Sequence, residues 1–112
     1  LAGRHGIPIP EDDPYSELRY DGQPVPSLKA LDREGIVLYL STVSKVLFPG
    51  MRLGFLVAPE PVVRRFALLK QGMDLHSNSV GQFILDRFIR RGLYGPYLAG
   101  LRESYVERRD TM

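Results

Sequence analysis

A short and almost wholly apolar run constrains the fold of this chain more than any other feature. Residues 36–40 read Ile-Val-Leu-Tyr-Leu and are rich in β-branched and aromatic side chains. A run of this length without polar alternation is typical of a strand that is covered on both faces, as in a parallel sheet. The sequence therefore predicts an α/β fold.

The segments around this run predict the remaining elements. Further strands are expected at 6–10, where two prolines allow only an edge strand, and at 52–58, while the apolar run itself predicts a strand at 36–41. The stretch 27–35 predicts a short helix that begins at a serine cap and ends at a glycine. Beyond residue 59 the apolar period changes from two to about 3.6, which predicts three helices. The expected fold is part of a mixed, mostly parallel sheet, followed by three helices.

Each of these three helices is expected to turn an apolar stripe inward. The predicted inward residues are Val62, Val63, Phe66 and Leu69 in the first helix, Val80, Phe83, Ile84 and Phe88 in the second, and Tyr94, Tyr97, Leu98, Leu101 and Tyr105 in the third. Aromatic side chains at helical spacing favour core or domain packing over a cofactor site.

Composition excludes several classes of function. The chain has no cysteine, so disulfides and thiolate metal sites are ruled out, and no metal site is expected. It has neither an apolar run of about 18 residues nor a signal peptide, so we expect no membrane association and a cytoplasmic location. The net charge of +2 is too small to argue for nucleic-acid binding.

The chain also has features of a piece of a longer protein. It begins at Leu1 within a pattern that resembles the last turn of a helix, with Gly6 as its stop signal, and it ends inside an amphipathic helical pattern. Three strands with proline-rich edges are too few for a self-sufficient doubly wound sheet.

Reactive side chains follow the predicted strands. In α/β sheets ligands bind at the carboxyl ends of strands, so side chains at those positions are expected to meet. A lysine after an apolar strand calls for a partner or a reaction, because an ammonium costs several kcal/mol to desolvate. The set comprises Asp12 and Tyr15 after the first strand, Thr42, Ser44 and Lys45 after the second, and Arg52 beyond a Pro-Gly turn. These groups suit a ligand with a phosphate, an aldehyde and a basic ring nitrogen.

Two motifs in this order, EDDPYSELRYDG and STVSKVLFPGMRLGF, resemble the second half of the large domain of fold-type I pyridoxal-phosphate-dependent aminotransferases of class I/II. Within that group the chain is most similar to 2-aminoadipate and aromatic amino-acid aminotransferases and to the aminotransferase-like domain of MocR-type regulators. The resemblance covers nearly the whole chain. It implies that residues 1–75 end the cofactor-binding large domain and that 76–112 form helices leading towards a small domain.

The resemblance implies a catalytic role for three residues. Lys45 would form a Schiff base with pyridoxal 5'-phosphate and shuttle a proton during the reaction. Asp12 would pair with the pyridinium nitrogen, and Tyr15 would donate a hydrogen bond to the cofactor's phenolic oxygen. The assignment of Asp12 rests on its spacing from Tyr15; in a register slipped by one residue, Asp13 would be the partner.

The resemblance also implies a phosphate subsite made by Thr42, Ser44 and Arg52, in which the planar guanidinium matches the phosphate oxygens. Asn78 resembles a segment near the family's dimer interface, and it fits a helix cap equally well.

The implied function is the transfer of an amino group between an amino acid and a 2-oxo acid by a full-length homodimer. The family's glycine-rich phosphate loop and its carboxylate-binding arginine are not in this sequence, so the 112-residue chain alone is expected to be inactive and to bind cofactor weakly or not at all. An alternative is the effector domain of a MocR/GntR-type transcription regulator, with nucleic-acid binding only through a domain preceding Leu1. The pair Pro14-Tyr15 favours the enzyme.

Two other interpretations are weaker. A Ser-x-x-Lys acyltransferase is disfavoured, because Thr42 stands three residues before Lys45 and no Lys-Thr-Gly follows. A non-functional fragment that packs only with itself or with a missing remainder is the third possibility.

Overall fold

Three short strands form a mixed sheet in the computed structural model, which describes residues 1–112. The strands are β1 (Ile9–Asp12), β2 (Val37–Thr42) and β3 (Gly54–Val57), in the order β1-β2-β3. β1 runs parallel to β2, and β3 runs antiparallel to it. The predicted α/β fold, a mixed sheet followed by three helices, is confirmed.

The strand register brings three chain segments to one edge of the sheet. Asp12 at the end of β1 lies beside Leu40, and Thr42 at the end of β2 lies beside Gly54. Because β3 is antiparallel, it begins where β2 ends. The carboxyl ends of β1 and β2 and the start of β3 therefore share this edge, which is called the site edge below.

Four helices complete the fold, and their ends follow local sequence signals. Ser27 caps the one-turn α1, with its hydroxyl accepting the Ala30 N–H at 3.0 Å. Gly6 and Gly92 take left-handed backbone conformations where a short 3-10 turn and α3 end, as expected for glycine. None of the helices combines the length and hydropathy needed to cross a lipid bilayer. The helices are α1 (Leu28–Leu31), α2 (Glu60–Met73), α3 (Ser79–Arg90) and α4 (Tyr94–Thr111).

The predicted strand bounds need correction. β1 occupies 9–12 rather than 6–10, because the ladder begins with the Ile9 N–H donating to the Ile36 carbonyl at 2.9 Å. β3 occupies 54–57 rather than 52–58, because Arg52 has a left-handed backbone, with φ 52°, which a strand does not accommodate.

The first carboxylate of the acidic run is also not in a solvated loop, as its composition had indicated. Glu11 lies within β1, and its two carboxylate oxygens accept the N–H groups of Leu28 and Lys29 at 2.7 and 2.8 Å. The side chain therefore satisfies the first free N–H groups of α1, as helix-capping carboxylates do. This contact joins β1 to α1.

The predicted inward stripe of α3 is largely wrong. Val80, Phe83 and Ile84 are exposed, and the helix turns Gly81, Leu85 and Phe88 inward instead. The physical reason is a close approach at Gly81, where an added Cβ would lie 3.4 Å from Leu53 Cδ1. Phe66 and Leu69 of α2, also predicted to be inward, are exposed as well.

The core lies beneath the loop between β2 and β3. Its buried members are Val43, Val46, Met51, Leu53 and, from α4, Leu98. Burying a side chain of this size contributes about 1.5–3 kcal/mol. Only 7 of 112 residues are buried, so this cluster is the main anchor of the loop that carries Lys45.

Candidate functional site

The site edge collects the six side chains that the sequence singled out. Asp12 and Thr42 are the last residues of β1 and β2. Tyr15 follows β1, Ser44 and Lys45 follow β2, and Arg52 precedes β3. The topology thus brings together residues up to 40 positions apart in the sequence.

The packing of the β2–β3 loop turns Lys45 outward. Val43 and Val46 are buried, and the Leu47 N–H closes a turn by donating to the Val43 carbonyl at 2.8 Å. Lys45, between these two anchors, is exposed, and its ammonium forms no hydrogen bond or ion pair. Its nitrogen lies 5.7 Å from the centroid of the Tyr15 ring, within the range of a cation–π contact.

The two neighbouring aspartates have different surroundings. Successive side chains of a strand point to opposite faces, so Asp12 and Asp13 diverge where β1 ends. Asp13 accepts the Ser16 N–H and the Tyr39 hydroxyl, each at 2.9 Å. Partial burial raises the pKa of Asp13, but the hydrogen bonds from Ser16 and Tyr39 outweigh this effect and hold the pKa below its ordinary value.

Asp12, in contrast, is exposed and forms no hydrogen bond or ion pair within the chain. Its carboxylate is free to pair with a ligand, whereas that of Asp13 is already engaged. The geometry therefore favours Asp12 over Asp13 as the partner of a ring nitrogen.

Thr42 shapes the loop that follows β2. Its hydroxyl donates to the Leu53 carbonyl at 2.7 Å and accepts the Ser44 N–H at 3.1 Å. The two hydroxyls of Thr42 and Ser44 are 3.0 Å apart. The Thr42 proton is thus engaged within the chain, and the Ser44 hydroxyl remains the more available phosphate donor.

Arg52 stands at a strained backbone position. Its left-handed conformation costs a residue with a side chain about 1–2 kcal/mol, and it follows a 3-10 turn, Pro49–Met51. The exposed guanidinium makes one long contact, from Nη1 to the Pro49 carbonyl at 3.4 Å. Strain of this kind is often found at functional sites.

Asn78 supports that turn from a distance. Its side-chain carbonyl caps α3 by accepting the Gly81 N–H at 3.0 Å, and its amide donates to the Met51 carbonyl at 3.3 Å. The helix-cap interpretation of Asn78 is confirmed; its place at a dimer interface stays a prediction. Sequence reasoning missed the link to Met51, because its partners are 27 residues apart.

The free groups at the site edge match pyridoxal phosphate in kind. That molecule presents an aldehyde, a phosphate and a ring nitrogen. The uncommitted groups are the amine of Lys45, the guanidinium of Arg52 and the carboxylate of Asp12. An amine can bond to an aldehyde, a guanidinium binds phosphate with its planar fork, and a carboxylate pairs with a protonated ring nitrogen.

Comparison with known proteins gives relatives of two kinds. The chain is 43% identical over 112 residues to an uncharacterized aminotransferase of Saccharolobus solfataricus and 41% identical over 112 residues to aromatic-amino-acid aminotransferase 1 of Thermococcus litoralis. In both cases the whole chain is matched, and it spans 28% and 27% of the length of these relatives. An uncharacterized HTH-type transcriptional regulator of Bacillus subtilis is 39% identical over 111 residues, which are 99% of the chain and 23% of the regulator. No family model matches the chain.

Solved structures agree with the sequence relatives. The chain superimposes on a Pyrococcus horikoshii kynurenine aminotransferase, in a complex with PMP, with a TM-score of 0.94 and 42% identity over 98% of the chain and 27% of that protein. It superimposes on LysN, an α-aminoadipate aminotransferase of Thermus thermophilus, with a TM-score of 0.86 and 35% identity over 95% of the chain and 28% of LysN. The predicted resemblance to aminotransferases, and to regulators with a related domain, is confirmed.

Proposed function

We propose, from the homology of this chain to a segment of pyridoxal-phosphate-dependent aminotransferases, that it is part of a longer enzyme of this kind. The chain spans 27–28% of the aminotransferases reported above. The complete enzyme, called the parent protein below, transfers an amino group between an amino acid and a 2-oxo acid.

One observation carries the proposal. Lys45, Asp12 and Arg52 are exposed at one edge of the sheet, and none of their charged groups has an ion-pair partner. Their amine, carboxylate and guanidinium correspond to the three reactive or charged parts of pyridoxal phosphate. The solved relative in complex with PMP supports this choice of cofactor.

Each residue then has a defined task. The cofactor, when bound, supplies an aldehyde that reacts with amines and a ring that accepts electrons. Lys45 provides the amine that bonds to the aldehyde carbon, and its Nζ later takes up and returns the substrate proton. Asp12 keeps a proton on the ring nitrogen by pairing with it. Tyr15, whose ring lies beside the Lys45 ammonium, donates its hydroxyl proton to the phenolic oxygen.

Phosphate binding falls to the loop between β2 and β3. Arg52 offers a planar pair of N–H donors, and Ser44 offers a hydroxyl. Thr42 supports this subsite by holding the Ser44 N–H at 3.1 Å and remains a proposed ligand through its oxygen.

Replacing Arg52 with alanine is expected to weaken binding of pyridoxal phosphate to the parent protein by roughly 10- to 150-fold, since hydrogen bonds to charged groups are worth about 1.5–3 kcal/mol. Binding of pyridoxal, which lacks the phosphate, should change by less than about threefold, because the lost contact is specific to the phosphate. Fluorescence titration of both ligands measures the difference. Arg64→Ala, an exposed arginine paired with Glu60 on α2, is the matched control. Equal losses for both ligands would contradict this role.

A second candidate function is supported by the match to transcriptional regulators. The Bacillus subtilis regulator is nearly as similar to the chain as the aminotransferases are. In that case the parent protein would use the same cofactor site for sensing, together with a DNA-binding domain. A winged helix-turn-helix in the parent sequence would favour this function.

Product analysis separates the two functions. The parent protein, loaded with pyridoxal phosphate, is incubated with a panel of amino acids and then denatured. Chromatography of the released cofactor measures its conversion into pyridoxamine phosphate. The proposed enzyme converts it with at least one amino acid and returns it with a 2-oxo acid; a protein that converts none is a sensor.

The assembly and location of the parent protein are part of the proposal. The resemblance to class I/II aminotransferases implies a homodimer in the cytoplasm. Light scattering of the purified parent protein and fractionation of the cells that make it test these two points.

A further inference from the structure

A second group of side chains lies behind the site edge and contacts none of the free site groups. Asp13 accepts the Tyr39 hydroxyl at 2.9 Å and the Ser16 N–H at 2.9 Å. In return, the Ser41 hydroxyl donates to the Asp13 carbonyl at 2.7 Å. These three hydrogen bonds, called the Asp13 clamp below, fasten the segment after β1 to β2.

The opposite side of the sheet edge from Asp12 is covered rather than open. The Tyr39 ring packs against Phe55, with centroids 6.2 Å apart. A small cavity of about 80 Å³ beside it is also lined by Tyr94 of α4. Burial raises the pKa of Tyr39, and the Asp13 carboxylate raises it further, so the hydroxyl stays protonated and remains a donor at neutral pH.

The clamp holds the two residues on either side of it. Asp12 precedes Asp13 directly, and Tyr15 lies between Asp13 and Ser16, the two ends of the Asp13–Ser16 hydrogen bond. The backbone of this segment therefore cannot rotate Asp12 or Tyr15 without breaking the clamp. Neither Asp12 nor Tyr15 has a side-chain hydrogen bond of its own to hold it.

We propose that Tyr39, acting through Asp13, is a positioning residue that sets the orientation of Asp12 and Tyr15 at the cofactor site. The inference rests on the proposed function, because it concerns the same site. It adds a residue that lies on the other face of the sheet and outside both motifs' proposed ligands. Tyr39 controls how well the ring-binding groups are aligned without contacting the ring.

The test uses the parent protein loaded with pyridoxal phosphate and the variant Tyr39→Phe, which removes the hydroxyl and keeps the ring packing. Two measurements are made: the dissociation constant of the cofactor, and the pH midpoint of the absorbance change of the bound cofactor. We expect roughly tenfold weaker binding, from the loss of a hydrogen bond to a charged acceptor, and a midpoint moved in the same direction as in Tyr15→Phe.

A double-mutant cycle makes the test specific. If Tyr39 acts by aligning Tyr15, the double variant Tyr15→Phe/Tyr39→Phe should move the midpoint no further than Tyr15→Phe alone. Tyr97→Phe is the control, because the Tyr97 ring packs against Phe88 and its hydroxyl makes no hydrogen bond. Asp13→Asn, which keeps one acceptor for the Ser16 N–H, should shift the midpoint in the same direction by a smaller amount.

Three outcomes are decisive. Additive midpoint shifts of Tyr15→Phe and Tyr39→Phe would overturn the inference, as would a Tyr39→Phe protein that melts earlier but keeps the wild-type midpoint. Wild-type parent protein that takes up no cofactor would instead reject the proposed function. A non-additive shift that Tyr97→Phe does not reproduce supports the positioning role.

Discussion

Replacing Lys45 with alanine is expected to lower the rate of amino-group transfer by the parent protein by at least 10²–10⁴-fold, the range for loss of a positioned acid–base group. The loss should be larger still, because the same amine forms the bond to the cofactor. Lys45 is exposed and makes no hydrogen bond, so its removal should change the free energy of unfolding by less than about 0.5 kcal/mol. Conversion of bound pyridoxal phosphate into pyridoxamine phosphate by an amino donor measures the rate.

The matched control is Lys70→Ala, since Lys70 is also a surface lysine and contacts only Asp74, one turn further along the chain. It should keep the wild-type rate. Lys45→Arg retains the positive charge but not a transferable proton near neutral pH, and it should be as inactive as Lys45→Ala. A Lys45→Ala protein within tenfold of the wild-type rate would contradict the assignment.

Replacing Asp12 with asparagine is expected to lower the transfer rate by roughly 30- to 5,000-fold. Truncating one partner of a hydrogen-bonded charge pair costs about 2–5 kcal/mol, and each 1.36 kcal/mol of barrier is tenfold in rate. Asparagine fills the same space but cannot keep a proton on the ring nitrogen. Because Asp12 forms no contact within the chain, the melting temperature should not change.

The neighbouring aspartate provides the comparison. Asp13→Asn should lower the rate less than Asp12→Asn, and it should lower the melting temperature, because Asp13 receives hydrogen bonds from Ser16 and Tyr39. Steady-state rates and thermal unfolding of both variants test the assignment. If Asp13→Asn were the slower enzyme with an unchanged melting temperature, the ring partner would be Asp13 and the register used for Asp12 would be wrong.

Local signals carried the prediction of the fold. Apolar periodicity located the strands and the helices, and the glycine and serine signals located several of their ends. The errors came from contacts between distant residues. β1 extends into the acidic run because its backbone pairs with β2 and because Glu11 finds the N–H groups of α1, 17 and 18 residues later. No single-segment pattern contains that information.

The same division applies to the helix faces. The apolar side chains of α3 predict an amphipathic helix but not which side packs inward. That choice depends on Gly81, which lets the helix approach Leu53 closely. A bulky stripe marked by Val80 and Phe83 therefore remains exposed in this chain, while smaller and less conspicuous positions face the core.

The candidate site follows a similar rule. The positions of Asp12, Lys45 and Arg52 at one sheet edge could be predicted, because strand ends of an α/β sheet meet. The choice between Asp12 and Asp13 could not, since the two differ only in which face of the sheet they reach. Tyr39, part of the apolar run that defined β2, was interpreted as strand packing, and its hydroxyl contact with Asp13 emerged only from the structure.

The identity of the lysine that bonds to the cofactor is the most direct test of the account. The parent protein is loaded with pyridoxal phosphate, reduced with borohydride to fix the covalent bond, and digested, and the labelled peptide is sequenced by mass spectrometry. We expect one pyridoxyl group per chain, on Lys45. Label on another lysine, or no label on a protein that is folded and saturated with cofactor, would contradict the central claim.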